Sequence, residues 1–65
     1  MIKYPNIEVQ LSGTDGNAFA ILGKVRGALK DAGVSREEQD AFYAEATSGD
    51  YDALLATAVR WVNAY

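Results

Sequence analysis

Tyr51, Leu54, Leu55, Ala58, Trp61, Val62 and Tyr65 recur at intervals of three and four along the last part of the chain. At about 100° per residue this puts them on one side of a helix and predicts a helix over 50–64. Asp52, Ala56, Arg60 and Asn63 fall on the opposite side. A second stripe of Ala18, Ile21, Leu22, Val25, Ala28, Leu29 and Ala32 predicts a helix over 17–32. Asn17, or Asp15 just before it, is placed to accept from the free amides at its start. Gly33 ends it where a left-handed residue is needed, and Val34 follows in the position that packs back on the last turn.

A third helix is predicted over 35–48. Ser35 and Glu38 make a capping box, and Glu37 and Glu38 suit the positive end of the helix dipole. Its apolar content is thin: Phe42 is the anchor, with Ala41, Ala46 and Tyr43 around it. Gly49 stops this helix and Asp50 caps the next. Ahead of the helices, Ile7, Val9 and Leu11 alternate with Glu8, Gln10 and Ser12. That period of two predicts a half-buried strand over 6–12, bounded by Pro5-Asn6 and by the glycine-containing segment 13–16. No second strand is visible, since 2–4 is too short for a hairpin of its own. The strand is thus expected to lack a partner in its own chain.

The pattern predicts one α+β, mainly helical domain over 1–65: a single N-terminal β-strand, then three α-helices around one small core. Leu22, Val25, Leu29, Phe42, Leu54, Leu55, Ala58, Trp61 and Val62 are the expected core, because three amphipathic stripes in so short a chain have only one another to cover them. The 65 residues contain no cysteine and no histidine. Disulfides are impossible, and structural zinc sites are rarely built from carboxylates alone. Neither metal nor cofactor is expected, which leaves tight helix packing or self-association to stabilise a small core. Without a signal-peptide run or a long apolar stretch, the expectation is a soluble, cytoplasmic protein with no membrane contact.

The net charge is −3, unevenly spread. Over 31–52 stand Asp31, Glu37, Glu38, Asp40, Glu45, Asp50 and Asp52 against Arg36 alone. A solvated acidic helix face is the favoured reading; a surface for a basic partner is the sharper one, with the basic end of the first helix available for self-complementary docking. Nucleic acid is disfavoured as a partner, because a net negative protein has few cations with which to release counterions.

Gly23 and Gly27 each weaken the first helix by close to 1 kcal/mol relative to Ala. They lie off its main stripe, on the side that carries Phe19. Two readings stand open: close approach to another element of the same chain, or a shallow groove beside Phe19 for a second chain. The segment Gly13-Thr14-Asp15-Gly16-Asn17 lacks the spacing of nucleotide loops and reads as a turn plus a cap. Glu45, Asp50 and Asp52 lack the spacing of a calcium loop, and capping and dipole preferences explain Asp50 and Asp52. General acid–base and nucleophilic chemistry have little to draw on, so no enzyme is expected.

Strand, helix, helix resembles the order of the ribbon-helix-helix repressors, in which the strand pairs with its twin in a dimer and enters the DNA major groove. That resemblance implies base contacts from Glu8, Gln10 and Ser12, although Glu8 would face phosphates, and the extra helix departs from the family. The runs Asp15-Gly16-Asn17-Ala18-Phe19-Ala20-Ile21-Leu22-Gly23, Glu45-Ala46-Thr47-Ser48-Gly49-Asp50-Tyr51-Asp52 and Arg60-Trp61-Val62 resemble a group of short proteins encoded by bacteria and their phages. This implies a bacterial or mobile-element setting and brings no activity with it. The expected function is that of a non-catalytic accessory protein working by protein–protein contact, with itself as a homodimer or with another protein. Ile7, Val9, Leu11, Phe19, Gly23 and Gly27 are its candidate interface, and a dimeric DNA-binding regulator is the alternative.

Overall fold

The alternation of Ile7, Val9 and Leu11 does form a strand, and the strand has a partner. In the structure, a computed structural model that describes residues 1–13 and 16–65, β1 (Tyr4–Val9) pairs in parallel with β2 (Val62–Ala64). Between them run α1 (Ala18–Asp31), α2 (Arg36–Ala46) and α3 (Tyr51–Trp61), so the order is one strand, three helices and a short second strand. The expectation of an orphan strand is corrected: residues 62–65 supply its partner.

The register explains both strands. Tyr4 lies opposite Val62, then Glu8 opposite Asn63 and Val9 opposite Ala64, so Pro5, Asn6 and Ile7 bulge out of the ladder. Proline has no N–H to offer a neighbouring strand, and a bulge is where it is tolerated. Pro5-Asn6 therefore interrupts the strand from within rather than bounding it. Beyond the ladder, the Tyr65 amide donates to the Val9 carbonyl at 3.0 Å, and the Leu11 and Ser12 amides donate to the Tyr65 carbonyl at 2.6 and 2.9 Å. The Lys3 amide donates to the Arg60 carbonyl at 2.9 Å. These bonds divert the chain after Trp61, and Val62 turns extended at φ −131° and ψ 167°. Helix three ends four residues before the chain does, and not at 64.

The caps form largely as read. Asn17 accepts from the Phe19 amide at 2.8 Å and Asp50 from the Ala53 amide at 3.0 Å. Asp15, the other candidate cap, lies with Thr14 outside the described residues. Gly33 sits at φ +83°, with its amide donating to the Lys30 carbonyl and that of Val34 to the Leu29 carbonyl. That pair of bonds is a Schellman termination, which satisfies two orphan carbonyls. Ser35 accepts from the Glu38 amide at 3.2 Å, but the Glu38 carboxylate turns to the Lys3 ammonium instead of reaching back. Half of the capping box is made. Helix two ends at Ala46, two residues short of expectation, and an added Cβ on Gly49 would meet that of Ala53 at 2.9 Å.

The three stripes close on one another and on β1. Val25, Leu29, Phe42, Ala58 and Val62 are fully buried, with Val9, Ile21, Leu22, Ala46, Leu54 and Trp61 around them. Leu55, expected inside, is only half-buried, while Thr57 is buried with its hydroxyl donating to the Ala53 carbonyl. Tyr51 and Tyr65, at the ends of the stripe, are exposed.

Leu54→Ala should destabilise the protein by about 2–5 kcal/mol and half-buried Leu55→Ala by clearly less, as read from urea unfolding. Equal losses would mean that α3 is rotated from this placement. Ser35→Ala should remove about 1 kcal/mol, and Gly33→Ala should destabilise by forcing a side chain into the left-handed region. If both are silent, α2 does not begin here.

Candidate functional site

Two assemblies of side chains stand out, one drawing β1 and α3 onto α2 and one on the outer face of α1. In the first, Trp61 is the centre. Its ring meets Phe42 edge-on at 5.5 Å and Tyr4 at 6.0 Å between centroids, and the Lys3 ammonium lies over it at 4.2 Å. The indole N–H donates to Glu45 Oε2 at 2.8 Å, and Arg60 reaches the same oxygen at 3.1 Å. On the other side of Lys3, its ammonium and the Tyr4 hydroxyl both meet Glu38 Oε1 at 2.7 Å. Two α2 carboxylates thus hold one residue pair from the start of the chain and one from the end of α3.

These carboxylates are structural anions. Glu38 is held below its ordinary pKa, first by the hydrogen bond from Lys3 and then by that from Tyr4. Glu45 is lowered by the Trp61 indole and then by Arg60. Lys3 and Tyr4 are both raised, each chiefly by its hydrogen bond to Glu38. A carboxylate kept ionised is a poor proton donor, and a phenol kept protonated a poor nucleophile. The acidic run is therefore not simply a solvated face. Glu38 and Glu45 take cations from other elements, Asp40 Oδ1 accepts from Arg26 at 2.7 Å with Arg36 at 3.8 Å, and Asp50 caps α3.

The second assembly runs along α1. Phe19 projects at 78% exposure beside an open cleft of about 260 Å³ floored by Leu22, Ala46 and Leu54. Tyr43 and Tyr51 stand on the same cleft and are also exposed, and Asp50 lies on its rim. Farther along, Gly23 and Gly27 line a cleft of about 490 Å³ with Arg26, Lys30, Arg36 and Gln39. The Arg26 guanidinium sits 5.5 Å from the Tyr43 ring centre and joins the two clefts. A Cβ on Gly23 or Gly27 would meet no atom within 4 Å, so close approach within the chain is not the reason for either glycine.

The predicted interface residues divide between these regions. Ile7, Val9 and Leu11 turn inward: Val9 is buried, and Ile7 and Leu11 pack partly buried against the core. Phe19, Gly23 and Gly27 share the outer face of α1, on two adjoining clefts. The basic end of the first helix is legible in the sequence; what sequence reasoning missed is that Arg36 joins Arg26 and Lys30 there. The four-residue spacing of Arg26 and Lys30 was the available signal; Arg36 joins them only across the Gly33 turn.

Both lowered carboxylates bind protons less readily folded than unfolded. Their contribution is present above the unfolded carboxylate range, about pH 4.3, and is lost as pH falls through their lowered folded values. Lys3 and Tyr4 act oppositely: their contribution is present below about pH 10 and is lost as pH rises through their raised folded values. Between these flanks the contribution of these four groups is constant, and Glu38→Gln with Glu45→Gln should flatten the acid limb in a pH series of urea melts. An unaltered acid limb would show that these pairs do not hold the fold.

Compared with protein-family models, curated proteins and solved structures, the chain matches none.

Proposed function

We propose that this chain is a non-catalytic interaction domain that works by protein–protein contact through the outer face of α1. One observation carries the reading: Phe19, Tyr43 and Tyr51, three of its exposed large apolar side chains, converge on a single cleft. Scattered apolar residues are ordinary on a surface, but a contiguous patch marks a binding site. Aromatic residues at such a place supply large contact area at low loss of side-chain entropy. Self-association belongs to the reading, moved from the strand edge to α1. A cytoplasmic, bacterial or phage setting is part of the proposal; among the described residues no helix is long and apolar enough to cross a membrane.

The DNA-binding alternative has less support. It needs β1 to pair with its twin, and one edge of β1 is already taken by the parallel β2 of its own chain. Glu8 would bring a carboxylate to the phosphates.

A photo-crosslinking amino acid at position 19 tests the proposal in a bacterial host, with position 59, exposed on α3, as the control. A discrete protein adduct from 19 and none from 59 is the expected result. Equal or absent adducts at both would refute the α1 surface. A salt-dependent shift of labelled duplex DNA at micromolar protein would favour the regulator instead.

A further inference from the structure

The outer face of α1 is self-complementary, and we infer that its occupant is a second copy of this chain, packed antiparallel about a two-fold axis at Gly23. The inference rests on the interaction reading and gives it a partner and a register. Along one ridge of α1 stand Phe19, Gly23 and Gly27, each four residues from the next. Reversing a second α1 about Gly23 places Phe19 of each copy over Gly27 of the other. Phe19 is a projecting ring at 78% exposure, and the space over Gly27 is open, inside a cleft of about 490 Å³. A knob and a hole on the same ridge meet twice under two-fold symmetry, as an isologous interface requires.

Charge follows the same reversal. The Gly27 end of the face carries three cations, Arg26, Lys30 and Arg36, against two carboxylates, Asp31 next on the same ridge and Asp40. The Phe19 end carries Asp50 and the rings of Tyr43 and Tyr51. The reversal sets Lys30, which forms none of the ion pairs of the described residues, toward the carboxylate and aromatic faces of the second copy. A parallel arrangement would set cation against cation. The size is also compatible: a standard interface covers about 800 Å² per partner, against 4066 Å² of total surface, and α1 spans most of a molecule 25 Å across. An acidic apolar peptide from another protein would satisfy the charges but would leave the match between Phe19 and Gly27 without a role.

Sedimentation of the pure chain from ~1 μM to ~1 mM should show the 7.0 kDa species giving way to one of twice that mass. Phe19→Ser and Gly27→Leu should each raise the dissociation constant at least ~10-fold. Thermal melts at the lowest concentration should show both variants folded, since neither change touches the core. Gly23→Cys should oxidise to a linked pair, because an axial position brings its two copies within disulfide reach, whereas Val59→Cys should not. A 7.0 kDa species throughout, or association indifferent to both Phe19→Ser and Gly27→Leu, overturns the inference. An adduct from position 19 to a different protein, with the pure chain monomeric, overturns the second copy and leaves the interaction reading in place.

Discussion

The fold depends on the capture of residues 62–65 by β1. A helical continuation of α3 would leave the carbonyl of Val9 and the amides of Leu11 and Ser12 without the partners they have in Tyr65. Val9 is buried, where an unpaired backbone group is expensive, and the extended path removes that loss. It also seals the core, because Val62 is fully buried where the chain turns and Trp61 lies just before it. Trp61 then spreads the constraint: Phe42 and Glu45 tie it to α2, and Tyr4 and Lys3 tie it to β1. A domain with no disulfide available thus joins residues near its two ends through backbone bonds and one aromatic ring.

Much of this architecture was legible in the sequence, and the illegible part has a physical cause. Caps and stripes are local signals, and Asn17, Gly33, Ser35 and Asp50 act within four residues of themselves. β2 is different. Val62 and Trp61 face inward whether the chain continues as a helix or straightens, so the helical period runs on to Tyr65 with no break. Only the long-range pairing with β1 distinguishes the two, and three strand residues are too few to show a period of two. The capping box failed in the same way. Glu38 has the right spacing to reach back to Ser35, but Lys3 and Tyr4, far away in sequence, offer two stronger partners.

Burial divides the candidate interface for a related reason. Ile7, Val9 and Leu11 were grouped with Phe19 and the glycines because an unpaired strand invites a second chain. β2 takes one edge of β1, and the apolar side chains of the strand pack on the core instead of facing a second chain. Phe19 and Gly23 are exposed and Gly27 half-buried, off the buried stripe of α1, as the helix period alone dictates. The acidic run is largely solvent-facing, and part of it also pairs with distant cations. Three of its seven carboxylates, Glu38, Asp40 and Glu45, take Lys3, Arg26 and Arg60 from other elements, as tertiary ion pairs that no local count detects.

That redistribution bears on where contact with another molecule is favoured. With Glu38, Asp40 and Glu45 engaged internally, the acidic segment offers a basic partner less than its composition suggests. The outer face of α1 is in the opposite position. Gly23 and Gly27 weaken the helix by about 1 kcal/mol each relative to Ala, and no atom of the chain lies where a methyl group would stand. In a core of this size, whose net stability is only a few kcal/mol, two such losses are large. Packing within the chain gives no compensation for them, whereas close approach by a second backbone, as proposed, would. Phe19, left almost wholly in water on the same ridge, loses favourable burial in the isolated chain for the same absence of cover. Under the proposed pairing both deficits would be repaired by one event, the covering of α1, and that is the physical argument for placing the partner on this face.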